Sequence, residues 1–217
     1  MNEQAKGMDA EGCRDRILLA TLPHVAFEGW SDRALSAGLA DAGLLPEQGL
    51  LAFVGGPLEM IEHWTRYGDR RMLEAVRRLD ASAMRMRERI AAAVRLRIEV
   101  NAPYREALRR TISLLALPPN APVAAKSMYA TVDAIWYACN DTSTDLSFYT
   151  KRATLAAVYG TTVLCWLDDA SEGFVDTWAF LDRRIDDVLR IPKLRGRVAD
   201  ALDELARILP IPLPRAG

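Results

Sequence analysis

The stretch Ser31-Asp32-Arg33-Ala34-Leu35-Ser36-Ala37-Gly38-Leu39-Ala40-Asp41-Ala42-Gly43-Leu44-Leu45-Pro46-Glu47-Gln48-Gly49-Leu50-Leu51-Ala52-Phe53 decides the fold. Ser31 is a good N-cap and Asp32 puts a carboxylate in the first turn, so a helix starts here and runs to about Ala42. Gly43 stops it, and Pro46 suits the start of a short helix to about Phe53. Gly55-Gly56-Pro57 then breaks the chain. Helix, tight glycine turn and short helix make a helix-turn-helix form. Upstream, Ile17, Leu18, Thr21 and Val25 share one face of a helix predicted over Arg14 to Phe27, closed by a turn at Glu28-Gly29-Trp30.

Downstream the predicted helices lengthen. Leu58, Ile61, Thr65, Gly68, Met72, Ala75 and Leu79 step by three and four, which marks one long helix that Gly68 weakens locally. Further helices are predicted from Ala83 to about Val100, from a cap at Asn101 past Leu115, from Ala121 to about Asn140, and from Leu146 to Leu167. Asp168-Asp169-Ala170-Ser171 caps the next, with Phe174, Trp178, Leu181, Ile185 and Val188 on one stripe up to Ile191-Pro192. After a hinge at Lys193-Leu194-Arg195-Gly196, a last helix covers Val198 to Leu209 before Pro210, Pro212 and Pro214. No run of period-two alternation stands out. The expected fold is all-α and TetR-like: a three-helix head of helix-turn-helix form, a six-helix body for ligand and dimer contacts, and a C-terminal amphipathic helix. The expected divisions are a flexible N-terminus over 1–12, the head over 13–55, the body over 56–192, and the hinge, helix and proline-rich end over 193–217.

Composition narrows the function. The 217 residues are 50% hydrophobic and 26% charged, enough for a sizeable core, and the net charge of -1 gives no global pull toward nucleic acid. No apolar run approaches the ~18 residues of a spanning helix. Cys13, Cys139 and Cys165 form no CxxC pair and read as reduced thiols, with Cys165 packed beside Trp166.

The head lacks the electrostatics of a DNA reader. Residues 1–44 carry four basic and seven acidic side chains, a net of -3, and Gly43 to Ile61 contains no Lys or Arg. Phosphate neutralisation supplies most non-specific affinity for DNA, so this head is expected to be a packing module. Catalysis finds no better footing. The histidines are His24 and His63; Glu59, Glu62 and His63 lack di-iron or zinc spacing, so His63 reads as a helix-surface or interfacial residue. His24 is expected to pair with Glu28 one turn on. Asp141-Thr142-Ser143-Thr144-Asp145 opens like a calcium loop, but Leu146 and Arg152 stand where Gly and Glu belong. Asp168-Asp169 and Asp186-Asp187 read as solvated acids at helix ends and faces. No nucleophile elbow, phosphate loop or dinucleotide motif occurs, so no cofactor, no metal and no catalytic residue is expected.

The aromatic residues point elsewhere. Trp64, Trp136, Trp166 and Trp178 lie on the long helices; with Tyr67, Tyr129 and Tyr159 they are read as walls of a cavity for a long apolar ligand, with ordinary core packing as the alternative. Phe148-Tyr149 follows a loop, and adjacent helical residues cannot both face the core, so part of the pair is expected at an interface. Val198, Leu202, Leu205, Ile208 and Leu209 form one stripe of the terminal helix, which suits a membrane surface, a partner helix or the body itself.

Several segments resemble the ninth-protein family of the coenzyme Q pathway: Arg14 to Ala20, Pro23 to Trp30, Val132-Asp133-Ala134-Ile135-Trp136, Asp141 to Asp145, Tyr149-Thr150-Lys151-Arg152 and Asp176 to Leu181. The resemblance runs from about Cys13 to Ile191. It implies a TetR-like fold without DNA binding, a cavity for isoprenoid quinone precursor or phospholipid, a homodimer and a membrane-associated C-terminal helix. It also implies a non-catalytic role in ubiquinone synthesis, presenting the lipid precursor to the di-iron demethoxyubiquinone hydroxylase. The partner patch would fall on Asp133, Ile135, Phe148 and Tyr149. The N-terminus lacks a transit-peptide pattern, so the expected location is the bacterial cytoplasm, peripheral on the inner membrane. The alternative reading is a TetR-type ligand-responsive transcriptional regulator.

Overall fold

A computed structural model of the chain describes residues 10–80, 84–140 and 146–186, with side chains at 146–150 left aside. The predicted terminal helix, its hinge and the proline-rich end lie outside the described residues, as do the N-terminal segment over 1–9 and the Asp141 to Asp145 loop. All regular structure among the described residues is helical. In chain order the helices are α1 (Ala10–Glu28), α2 (Asp32–Asp41), α3 (Pro46–Ala52), α4 (Gly56–Arg77), α5 (Met86–Glu99), α6 (Arg105–Leu115), α7 (Ala121–Ala138), α8 (Leu146–Asp168) and α9 over residues 175–186.

Local chemistry sets these boundaries. Ser31 is extended, and its hydroxyl accepts from the Ala34 amide at 3.2 Å, which starts α2. Pro46 stands at the start of α3. Gly38 lets α2 close onto α1: a Cβ there would lie 2.6 Å from the Thr21 Cα. Ile17, Leu18, Leu22 and Val25 of α1 are wholly buried in a cluster that takes in Ala34, Leu39 and Phe53 of the head. Met60 and Trp64 of α4 and Ala107 of α6 complete that cluster, so the head is welded to the longer helices. The second cluster joins α5, α7, α8 and α9 through Val94, Ile98, Ile135, Trp166, Leu181 and Ile185.

Two polar devices fix the C-terminal end of α8 and the entry to α9. Arg105, at the start of α6, donates from Nη2 to the carbonyls of Trp166, Leu167 and Asp169 at 2.5, 2.7 and 2.6 Å. A cation on the last carbonyls of a helix also meets the negative end of its dipole. Asp169 is 8% exposed, not solvated as its place beside Asp168 suggested. Its carboxylate accepts from the Ser171 amide and hydroxyl at 2.7 and 2.6 Å, and from the Thr177 amide and hydroxyl at 2.9 and 2.6 Å. Those bonds hold its carboxyl well below the usual carboxylate range.

Two histidine readings also change. His63 is 2% exposed, and Nε2 lies 2.7 Å from Asp15 Oδ1, because α4 turns this face onto α1. His24 meets Asp41 of α2 at 2.7 Å, since the close crossing at Gly38 brings α2 nearer than the next turn of α1. Cys165 is half-buried beside the fully buried Trp166.

Candidate functional site

Helices α4, α5, α6, α7 and α8 enclose a cavity of about 500 Å³. α4 contributes Ile61, Trp64 and Thr65. The end of α5 contributes Arg97, and Asn101 stands one turn beyond it. α6 contributes Leu108, Thr111, Ile112 and Leu115; α7 adds Ala124, Ser127, Met128 and Thr131. α8 supplies Ala156, Ala157, Tyr159, Gly160, Thr161, Val163 and Leu164. The spacing on α7 and α8 is helical, and the residues that recur there are small. Space between helices is what Ala, Ser, Gly and Thr leave, so the cavity follows from those choices.

The walls are graded. Ala116, Ala157, Thr161 and Leu164 are exposed and form the rim. Arg97, Asn101, Thr111, Thr131, Tyr159 and Trp64 are buried and form the inner end. Behind that end Arg97 Nε donates to Asp69 Oδ1 at 2.7 Å, and Thr131 donates to the same oxygen at 2.9 Å. Arg97 Nη2 also reaches the Thr65 carbonyl at 3.3 Å. Gly68 makes room for this pair: a Cβ there would lie 2.5 Å from the Arg97 Cζ. The glycine read as a weak point of the helix is a notch for a buried guanidinium.

Several polar groups at this end lack partners. Arg97 Nη1, Trp64 Nε1 and Ser127 Oγ are buried with no hydrogen bond among the described residues. Asn101 is 3% exposed, and its carboxamide caps nothing, contrary to the sequence expectation, because its backbone is already helical. Asn101 and Tyr159 line the same end of the cavity. Burial pushes the Tyr159 phenol up, against the opposing pull of Arg97, so it stays protonated. Trp30, from the head, donates from Nε1 to Thr111 Oγ1 at 2.8 Å and so closes the wall from outside.

Of the aromatic residues read as lipid-binding, Trp64 and Tyr159 line the cavity. Trp136 and Trp166 fill the body core, and Trp178 packs on it under Arg95. Tyr67 joins the head cluster, and Tyr129 is exposed. On α7, Asp133 holds Arg152 of α8 at 2.6 Å, while Ile135 is fully buried and offers a partner no surface. The side chains of Phe148 and Tyr149, and Val198, Leu202, Leu205, Ile208 and Leu209, lie outside the described residues. Among the described residues no group of three or more His, Cys, Asp or Glu is placed to hold a metal ion. No helix among them is long and apolar enough to cross a membrane.

A short helical head fused to a larger helical body that holds this cavity defines a TetR-like fold. A TetR transcriptional regulator from Nitrosomonas europaea ATCC 19718 aligns with a TM-score of 0.66 over 82% of this chain and 98% of that one, at 21% identity. That likeness speaks for the fold alone. Residues 121–192, from α7 past α9, match the COQ9 family. The mitochondrial ubiquinone biosynthesis protein COQ9 of Rattus norvegicus is 34% identical over 83% of this chain and 60% of its own length. The human protein is 35% identical over 83% of this chain and 59% of its own. COQ9-B of Xenopus laevis is 32% identical over 87% of this chain and 67% of its own. The chain belongs to the COQ9 family, and it spans about three fifths of the length of the rat and human relatives. These relatives are named mitochondrial, which overturns the expectation of a bacterial cytoplasmic location.

Proposed function

We propose that this chain is a non-catalytic lipid-binding accessory protein of ubiquinone biosynthesis. It holds an isoprenoid quinone precursor or phospholipid between α4 and α8 and presents it to the di-iron demethoxyubiquinone hydroxylase. The observation that carries this reading is the cavity of about 500 Å³ with its apolar rim. Ligand sites of ~300–1,000 Å³ with apolar walls and a few placed polar groups are the ordinary form of a small-molecule pocket. Membership of a family whose relatives are named for ubiquinone biosynthesis supports an isoprenoid quinone precursor as the guest. The head's acidic balance and the exposed Leu50 and Leu51 on α3 give a duplex nothing to hold, which disfavours the regulator reading.

Native mass spectrometry of the purified chain tests the proposal. The expected result is a co-purifying lipid, or a stable adduct after incubation with a demethoxyubiquinone precursor. Ligand-free protein under both conditions overturns it.

A further inference from the structure

Resting on the carrier reading above, we infer that the cavity takes its guest head-first. A neutral, oxygen-bearing ring lies against Asn101 and Tyr159 at the inner end, and the apolar chain runs out past Leu164. The first support is the gradient of exposure. The rim on α6 and α8 is exposed and mostly apolar, whereas Asn101 and Tyr159 are 3% and 8% exposed, and at the same end Arg97 Nη1, Trp64 Nε1 and Ser127 Oγ are buried with no hydrogen bond among the described residues. Buried polar groups without partners are costly, and a bound oxygen would satisfy them. A guest inserted tail-first would leave these groups against hydrocarbon and put its own oxygens on an apolar rim.

The charge of the head follows from the neighbouring ion pair. Asp69 already balances Arg97 at 2.7 Å, and Thr131 also donates to it. The inner end is therefore polar but close to neutral. A phosphate placed there would be a second buried anion with no free counter-charge, and uncompensated buried charge is strongly disfavoured. A carbonyl or phenol oxygen has no such penalty. Asn101 offers two donors and an acceptor, and the protonated Tyr159 offers one donor.

Size agrees. The cavity's 500 Å³ falls within the ~300–1,000 Å³ of small-molecule sites, room for a ring head and the first part of its chain. The rest of a long chain must lie outside, over Leu164 and the exposed Leu117 after α6. The head is thus covered during carriage and is uncovered only when the guest backs out.

Calorimetric titration of the full chain with hexyl-1,4-benzoquinone, hexylbenzene and hexyl phosphate tests this. The benzoquinone is expected to bind about tenfold or more tighter than hexylbenzene, as one or two buried hydrogen bonds would give. Hexyl phosphate should bind more weakly than the benzoquinone. Asn101→Leu and Tyr159→Phe should each remove most of the benzoquinone preference over hexylbenzene, by weakening benzoquinone binding without weakening that of hexylbenzene; circular dichroism checks that each variant is folded. Nuclear Overhauser contacts should join the quinone ring to the Asn101 carboxamide. Equal affinity for benzoquinone and hexylbenzene, tightest binding of the phosphate, or ring contacts to Leu164 would overturn the orientation and leave the carrier reading standing. Failure of all three compounds to bind would sink both.

Discussion

Gly68→Ala is the sharpest test of how the cavity's inner end is built. In an isolated helix this change stabilises by about 1 kcal/mol, because Ala has the higher helix propensity. Here the added methyl would sit 2.5 Å from the Arg97 Cζ and 2.6 Å from Nη1. A guanidinium on a flexible chain could ordinarily swing aside. Arg97 cannot do so freely: it is 5% exposed, bonded to Asp69 at 2.7 Å and in reach of the Thr65 carbonyl. Displacing it leaves Asp69 buried with Thr131 as its remaining partner. Breaking a buried ion pair costs about 3–5 kcal/mol, so the net expected loss is about 2–4 kcal/mol. For a chain of this size that lowers Tm by about 5–15 °C. Gly160→Ala is the matched control, since its new Cβ meets only the Met128 Cε at 3.4 Å. It should be neutral or stabilising by up to about 1 kcal/mol. Urea unfolding of both variants decides the matter. A Gly68→Ala protein as stable as Gly160→Ala would refute the account of a guanidinium locked in a glycine notch.

Two further predictions concern pH. Burial lowers the His63 pKa more than the Asp15 hydrogen bond raises it, so the folded chain binds this proton less readily than the unfolded chain. Stability should fall as pH drops through about 6.5 toward 5, and His63→Gln should flatten that slope in urea melts. Asp169 titrates in the opposite structural sense, because hydrogen bonds from Ser171 and Thr177 favour its charged form. Its contribution is complete above the ordinary carboxylate pKa of 3.8 and is lost as pH falls below it. Asp169→Asn should lower Tm at neutral pH and weaken the acid dependence below about pH 4; an unchanged acid limb would show that the cap is idle.

The helical order was legible because apolar residues at steps of three and four mark one face of each helix, and Ser31, Pro46 and Gly43 punctuate the head. Periodicity identifies the inward face but not whether it meets a neighbour or a void. Trp136 and Trp166 therefore looked like cavity walls and proved to be core. The signal that marks the cavity is the opposite of aromatic bulk. Ala124, Ser127, Met128 and Thr131 on α7 face Ala156, Gly160 and Val163 on α8, and these are mostly small side chains at helical spacing. Asn101 and Asp169 were misjudged for a related reason. Each has the composition of a solvated cap, and only the packing of distant segments shows that it is buried. The Gly68 notch depends on a guanidinium 29 positions along the chain, which no local rule connects to it.

The head's place against the cavity gives a helix-turn-helix form without a basic surface a structural role. Trp64 belongs at once to the head's hydrophobic cluster and to the cavity lining. Its ring lies 6.0 Å from Trp30, which in turn donates to the cavity residue Thr111. Trp30 sits between α1 and α2, so the short helices brace the inner end where Arg97 and Asn101 stand. In this arrangement the head is the end wall of the chamber. On its outer side helix α3 exposes Leu50 and Leu51 by 68% and 80%, in a stretch from Gly43 to Ile61 that has no Lys or Arg. A head selected to close a pocket needs Ile17, Leu18 and Trp30 facing inward, and those are the positions where its apolar residues are concentrated.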